Sequence, residues 1–187
     1  MKGFNDYIKR EELSVFKDFF LKCGHYKEIK KKEYFASQGF ITTHAAYIKE
    51  GVFRYICTDE KGCEHIVGYS FTGEYVGDYP WFLKKGKAIV TIQAVTDSRI
   101  YYASSEAMNE FLSTNNVTQS LKQILAEELF LQTYRRLLDI YCKTPAELYW
   151  DLIKRYPDLL NYITLREIAS FLRVTPETVS HIRKRIE

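Results

Sequence analysis

No stretch of this chain is apolar for the length a membrane crossing needs. Charges at Asp6, Lys9, Arg10, Glu11 and Glu12 also interrupt the apolar centre of a secretion signal. A cytoplasmic chain with no membrane partner is expected. Cysteine is sparse: Cys23, Cys57, Cys63 and Cys142 form neither a C-x-x-C pair nor a disulfide framework, which fits reduced thiols. Strong charge of one sign is missing too. A net charge of +3 identifies no polyanionic partner, so an electrostatic argument must rest on local clusters such as Arg183, Lys184 and Arg185. Nor does any serine, cysteine or carboxylate stand with a base at a recognisable spacing, and His25, His44, His65 and His181 are dispersed. Neither an enzyme nor a cofactor site is expected.

What remains is a folded chain of 187 residues with 46% hydrophobic content, enough for one or two small cores. From about Tyr26 to Ser104 it is rich in tyrosine, phenylalanine, valine and isoleucine, punctuated by Gly39, Gly51, Gly62, Gly73, Gly77 and Gly86. Closely spaced short strands of this kind predict an antiparallel sandwich or roll. The runs GVFRYIC and EHIVGYS flank the turn formers Thr58 to Gly62 and predict a hairpin. Cys57, Cys63 and His65 lie near it. They are zinc-ligand types, but only three are visible, and free cysteine usually packs as a small hydrophobe. Core packing is the preferred expectation.

No glycine occurs after Ser104, and from Val117 to Cys142 apolar residues such as Leu121, Leu125, Leu129, Leu138 and Tyr141 recur at helical spacing. They are too broad for one stripe. One face is therefore expected on the β domain and another on a second subunit, the alternative being a helix buried in a monomer. Glu128 and Arg135 interrupt one seam. Lys143-Thr144-Pro145 breaks the helix near a hinge at 142–144. Thr144 and Glu147 then form a capping box, with proline at the first position of a new helix carrying Leu148, Leu152, Ile153 and Tyr156.

The segment from Ile163 reads ITLREIASFLRVTPETVSHIRKRIE. Thr164 and Glu167 make a further capping box, and Leu165, Ile168, Ala169 and Leu172 form the inward face of a short helix. Thr175 caps a second helix that starts at Pro176 and runs toward Ile186. Val174, Val179 and Ile182 face inward. Glu177, Thr178, Ser180, His181, Arg183 and Lys184 are left outside as candidate DNA contacts, the layout of a helix-turn-helix. Two amphipathic helices alone also fit an ordinary helical hairpin. The turn residue is Arg173, and if it takes positive φ a side chain there costs roughly 1 kcal/mol.

A glycine-punctuated roll, a long helix and a terminal helix-turn-helix together resemble the Crp/Fnr superfamily of bacterial transcription regulators. The resemblance is carried by GVFRYICTDEKGCEHIVGYSFTGEYVGDYPWF and by TPETVSHIRK. It implies an α+β chain in three parts. Residues 1–116 would be a jelly-roll-like, cyclic-nucleotide-binding-domain-like sensor with an N-terminal helix, 117–142 a dimerisation helix, and 143–187 a DNA-binding domain. It also implies a homodimer on a pseudo-palindromic duplex, a small effector, and RNA polymerase as a further partner.

Position by position, the resemblance places an effector pocket at Gly77, Asp78, Tyr79, Ala88 and Ile89, with Tyr134 from the long helix. Asp78 stands where cyclic-nucleotide binders usually have glutamate, and could accept from a ribose hydroxyl. Ala88 and Ile89 replace the arginine and serine or threonine that grip the phosphate, so no tight cyclic-AMP binding is expected. Lys84, Lys85 and Lys87 are available substitutes, although lysine-rich turns are more often solvated. Whether Tyr75, Tyr79, Trp81 and Phe82 plug the pocket stays open.

On the recognition helix the matching positions are Glu177, Ser180 and His181. Glu177 suits a cytosine amino group, while histidine in place of arginine removes a bidentate guanine contact. Thr164, Thr175, Lys184 and Arg185 are expected on phosphate. The sequence ends at Glu187, where many relatives continue into a β wing, and a reduced or wingless head is expected. The competing expectation is a ligand-binding or scaffold protein of the same fold that has lost specific DNA binding.

Overall fold

The computed structural model describes residues 4–79 and 81–185. Its order is α1 (Ser14–Cys23), β1 (His25–Ile29), β2 (Tyr34–Ala36), β3 (His44–Glu50), β4 (Val52–Thr58), β5 (Glu64–Phe71), β6 (Tyr75–Val76), α2 (Trp81–Lys84), β7 (Thr91–Ala94), β8 (Ser98–Ser104), α3 (Ser105–Leu112), α4 (Asn116–Cys142), α5 (Pro145–Arg155), α6 (Leu165–Leu172) and α7 (Pro176–Lys184). Two four-stranded antiparallel sheets, β1-β8-β3-β6 and β2-β7-β4-β5, form the roll. Ile48, Phe53, Ile92 and Ile100 meet between them with no exposed surface. Strand alternation sends these side chains to one face, and burying that face is what holds the sheets together.

The β4-β5 hairpin forms where expected, from Val52↔Phe71 to Thr58↔Glu64, with a register shift at Tyr55 and Ile56. Its turn closes because the Asp59 carboxylate accepts the N–H groups of Lys61 and Cys63, both at 2.9 Å. The cysteines there do not pack in the core. Cys63 is exposed, Cys57 only half-buried, and His65 bonds the Asp59 carboxylate at 3.0 Å instead. Among the described residues no group of three or more metal-ligating side chains converges.

Outside the first sheet, Ala45, Tyr47 and Ala103 pack under α1, α3 and the start of α4, with Phe16, Phe20, Met108 and Leu121 buried between. Helix α3, capped by Ser104, has no counterpart in the sequence reading above. A capping box of Asn115 and Thr118 opens α4, which runs 27 residues. Helix α5 starts with its Thr144 to Glu147 box and Pro145, but it stops at Arg155. Tyr156 lies beyond it, its ring stacked on Phe4 at 4.5 Å. A Tyr156 side chain placed there cannot stay on the helical face, because the backbone leaves helical geometry ahead of Pro157.

Outside the second sheet the C-terminal helices dock. Ile66, Tyr69 and Phe71 share one core with Tyr149, Leu152, Ile168, Phe171 and Val179. No described helix is long and apolar enough to cross a membrane.

Candidate nucleic-acid interface and ligand cavity

Helices α6 and α7 carry the turn that the sequence specifies locally. Thr164 Oγ1 accepts the Glu167 N–H at 3.3 Å, while the Glu167 carboxylate accepts the Thr164 N–H at 2.9 Å. Arg173 does take positive φ, 59°, and Val174 N–H then closes onto Ala169 O at 3.0 Å. A left-handed non-glycine residue is tolerated because Val174 and Val179 anchor the turn against α6. Thr175 Oγ1 accepts the Thr178 N–H at 3.2 Å and opens α7.

On α7, Val179 is fully buried and fixes the helix face. Glu177, His181, Arg183 and Lys184 are exposed, and Thr178 and Ser180 are half-buried. The stretch toward Ile186 lies outside the described residues. Glu177 is held below the usual carboxylate pKa, first by its own amide at the helix start and then by the Thr175 hydroxyl. It therefore presents a pure acceptor. Thr164 and Thr175 are exposed, and both hydroxyls are engaged in capping. A shallow groove beside this face is lined by Ala146 and Trp150 of α5 together with Glu177, Thr178, His181, Ile182 and Arg185. Trp150 was not singled out by sequence, although it falls off the stripe formed by Tyr149 and Leu152 and is 43% exposed.

A second concavity, about 560 Å³, lies between the roll and α4. Gly77, Asp78 and Tyr79 are among the residues on its wall; Ala88, Ile89 and Tyr134 are not. Gly77 permits the close pass of this segment over β3, since a Cβ there would sit 3.1 Å from that of Ala45. Asp78 is 5% exposed, and its carboxylate accepts the Ile89 N–H at 2.7 Å. Burial raises its pKa against the opposing pull of the Ile89 and Val90 amides. The Ala88 N–H is also engaged, with Phe40 O at 2.8 Å. The aspartate expected to face a ribose is thus tied to the chain segment expected to face a phosphate.

Tyr75 and Phe82 form wall rather than plug. The Tyr75 hydroxyl donates to Leu13 O at 2.8 Å, and its ring packs among Tyr7, Phe16, Phe20 and Tyr47. Tyr79 donates to Lys122 O at 3.3 Å. The three lysines offered as phosphate substitutes are not on the wall, and Lys85 pairs with Glu106 at 2.5 Å.

Polar links tie the roll and the N-terminal segment to α4 and the terminal helices, and three of them involve Arg54, Arg136 and Gln132. Arg54 on β4 pairs with Glu167 at 2.5 Å. Burial opposes the Glu167 charge, but the Thr164 donors and Arg54 outweigh it and keep its pKa low. Arg136 on α4 stacks on the Phe171 ring at 3.7 Å and donates to the carbonyls of Val67 and Phe171. Burial lowers its pKa to about 10. Gln132 binds Asn5, whose amides reach the buried Glu74 at 2.9 and 2.6 Å. Sequence reading missed all three. An arginine inside the apolar run GVFRYIC was the available signal for the first.

One face of the far half of α4 is bare. Phe130, Tyr134, Leu137 and Tyr141 are 64, 47, 48 and 81% exposed and recur at four, three and four residues. Glu128 faces away toward Arg10, at 3.5 Å, so it does not interrupt this stripe.

Residues 26–115 match the cyclic nucleotide-binding domain family. Among solved structures, FixK2 from Bradyrhizobium japonicum aligns at 17% identity and TM-score 0.70, covering 87% of this chain and 84% of that one. The c-di-GMP-responsive global regulator CLP of Xanthomonas campestris aligns at 17% identity and TM-score 0.67, covering 92% and 91%. A CooA mutant from Carboxydothermus hydrogenoformans gives 17% identity and TM-score 0.65, covering 92% and 78%. No curated protein sequence matches the chain significantly. Residues 26–115 thus resemble a cyclic nucleotide-binding domain, and over most of its length the chain shares the fold of these solved structures.

Proposed function

We propose that the chain is a homodimeric, sequence-specific DNA-binding transcription regulator of the Crp/Fnr type, acting in the cytoplasm and responding to a small effector other than cyclic AMP. In this reading residues 1–116 sense, 117–142 dimerise and 143–187 bind a pseudo-palindromic operator. The observation that carries it is α7: a capped helix rooted by Val179, with Glu177, His181, Arg183 and Lys184 facing outward. Twofold pairing along Phe130, Tyr134, Leu137 and Tyr141 would present two such helices. Their targets would be half-sites about 34 Å apart, one helical turn of DNA.

Within the reading, Glu177, Ser180 and His181 contact base edges, with Thr178 beside them. Thr164, Thr175, Lys184 and Arg185 contact the phosphate backbone, and Arg183 is a further DNA contact on the same helix. The cyclic-AMP exclusion rests on Ala88 and Ile89, whose amides are already engaged, and on the buried Asp78 carboxylate that an entering phosphate would meet.

A gel shift of the purified dimer tests the function, comparing the region upstream of its own gene with random duplex at physiological salt. Preference for the upstream DNA is expected, and equal binding overturns sequence-specific regulation. Arg183→Ala with Lys184→Ala should abolish operator binding without affecting dimerisation. Calorimetry giving micromolar or tighter cyclic-AMP binding refutes the effector statement.

A further inference from the structure

The cavity beside α4 restricts the chemistry of what can enter it. Its wall is mostly aromatic and aliphatic, with Phe16, Phe20, Phe82, Met108, Leu125 and Leu129 around about 560 Å³. That volume lies inside the range of small-molecule pockets, about 300–1,000 Å³. Most polar groups on the wall are already bonded inside the protein, the buried Tyr69 hydroxyl being the exception, with no hydrogen-bond partner. Asn5 gives its amide hydrogens to Tyr69 O and Glu74, and Gln132 gives one to Asn5 while accepting the Asp6 N–H at 2.7 Å. Tyr55 and Ser70 bond each other at 3.1 Å, and Ser70 donates to Tyr75 O at 3.0 Å.

Charge points the same way. Among the described lining residues the ionisable side chains of opposite sign are Asp78 and Lys122. Asp78 is buried and keeps the Ile89 N–H for itself, so an anionic ligand would meet a carboxylate and lose a donor. Lys122 is exposed at the rim, where water solvates it, and its carbonyl is occupied by Tyr79. A buried anion without a matching donor set is strongly disfavoured. A cationic ligand would have one carboxylate partner whose acceptor capacity is already partly used.

We infer that this cavity takes an uncharged, predominantly apolar small molecule, and that this molecule is the effector. The inference rests on the regulator reading for the word effector, and on the cavity alone for the ligand class. Such a ligand touches Leu125, Leu129 and Phe130 on α4 as well as the roll, so it contacts the helix whose far half carries the exposed stripe. It would favour whichever arrangement of α4 against the roll encloses more of its surface.

Titration of the full chain with the neutral fluorescent probe N-phenyl-1-naphthylamine tests the ligand class, with 1-dodecanol as competitor and cyclic AMP and cyclic di-GMP in parallel calorimetry. Micromolar probe binding, displacement by dodecanol and no cyclic-nucleotide heat are expected. Ala126→Trp, which fills the cavity from α4, should weaken the probe by about tenfold or more, roughly 1.4 kcal/mol. Tyr141→Ser, on the exposed stripe, should leave it unchanged. If Ala126→Trp lowers the melting temperature, Thr133→Trp on the same wall replaces it.

Probe binding lost in Tyr141→Ser but kept in the filled variants places the probe on the stripe and overturns the inference. So does tight cyclic-nucleotide binding, and so does a folded protein that takes up no probe. Operator binding, measured separately, tells the two readings apart. Loss of operator preference with probe binding intact defeats the regulator and leaves the ligand class. The reverse defeats the ligand class alone.

Discussion

The two halves of α4 share an apolar helical spacing and are opposite in circumstance. In the first, Leu121 is 2% exposed, and Ile124, Leu125 and Leu129 pack against the roll. In the second, Phe130, Tyr134, Leu137 and Tyr141 stand in the open at the same helical spacing. Apolar periodicity gives a helix a face to bury but does not say where. The first half is satisfied within one chain. The second offers a contiguous exposed stripe of the kind that marks association.

The largest way to break the comparison is Leu121→Ala, which opens a cavity under the first half. A loss of about 2–5 kcal/mol of stability is expected in denaturant titrations. An equal truncation at the exposed Leu137 should cost a folded monomer far less. Leu137→Glu instead sets a charge into the stripe. It should shift the dimer toward monomer in analytical ultracentrifugation and weaken operator binding together, while far-ultraviolet circular dichroism stays native. A dimer that survives this change refutes α4 as the seam.

Arg136 sits on the second half yet reaches the carbonyls of β5 and α6. Arg136→Met removes those donors and should cost about 1 kcal/mol, chiefly because the part-buried Phe171 carbonyl loses its partner. Glu74 is linked to the same helix through Asn5 and Gln132. Burial pushes its pKa from 4.5 up to about 7, against the pull of the Asn5 and Phe71 donors. The folded state therefore holds that proton more tightly than the unfolded chain. Its contribution is complete below about pH 4.5 and is lost as pH rises through about 7. Melting temperatures from pH 5 to 8 should fall in the natural protein, and Glu74→Gln should flatten that slope. The smallest effect expected leaves both halves of α4 alone: Arg173→Gly should add about 1 kcal/mol by relieving a left-handed side chain. No change in oligomeric state should accompany it.

Legibility followed sequence distance. The caps at Thr144, Thr164 and Thr175 could be read because each links residues three apart, and the β4-β5 hairpin because its turn chemistry is contiguous. Cys63 was misjudged as core because residue type alone does not tell which side of a turn faces water. Helix α3 was missed because its eight residues follow β8 without a break, Ser104 closing the strand and capping the helix. Of the residues expected around a ligand, Gly77, Asp78 and Tyr79 line the concavity. Nothing local announces that Asp78 turns to the Ile89 amide eleven residues away.

The sequence by itself determined the helices capped at Thr144, Thr164 and Thr175, the β4-β5 hairpin and the outward row on α7. Short-range hydrogen bonds and side-chain period need no knowledge of the rest of the chain. Tertiary structure decided which half of α4 is covered, that Arg54 meets Glu167 across 113 positions, and that a cavity remains whose one buried charge is already engaged. Those outcomes depend on how packed faces meet in space, and residues far apart in the chain acquire that relation only when the sheets and helices close on one another.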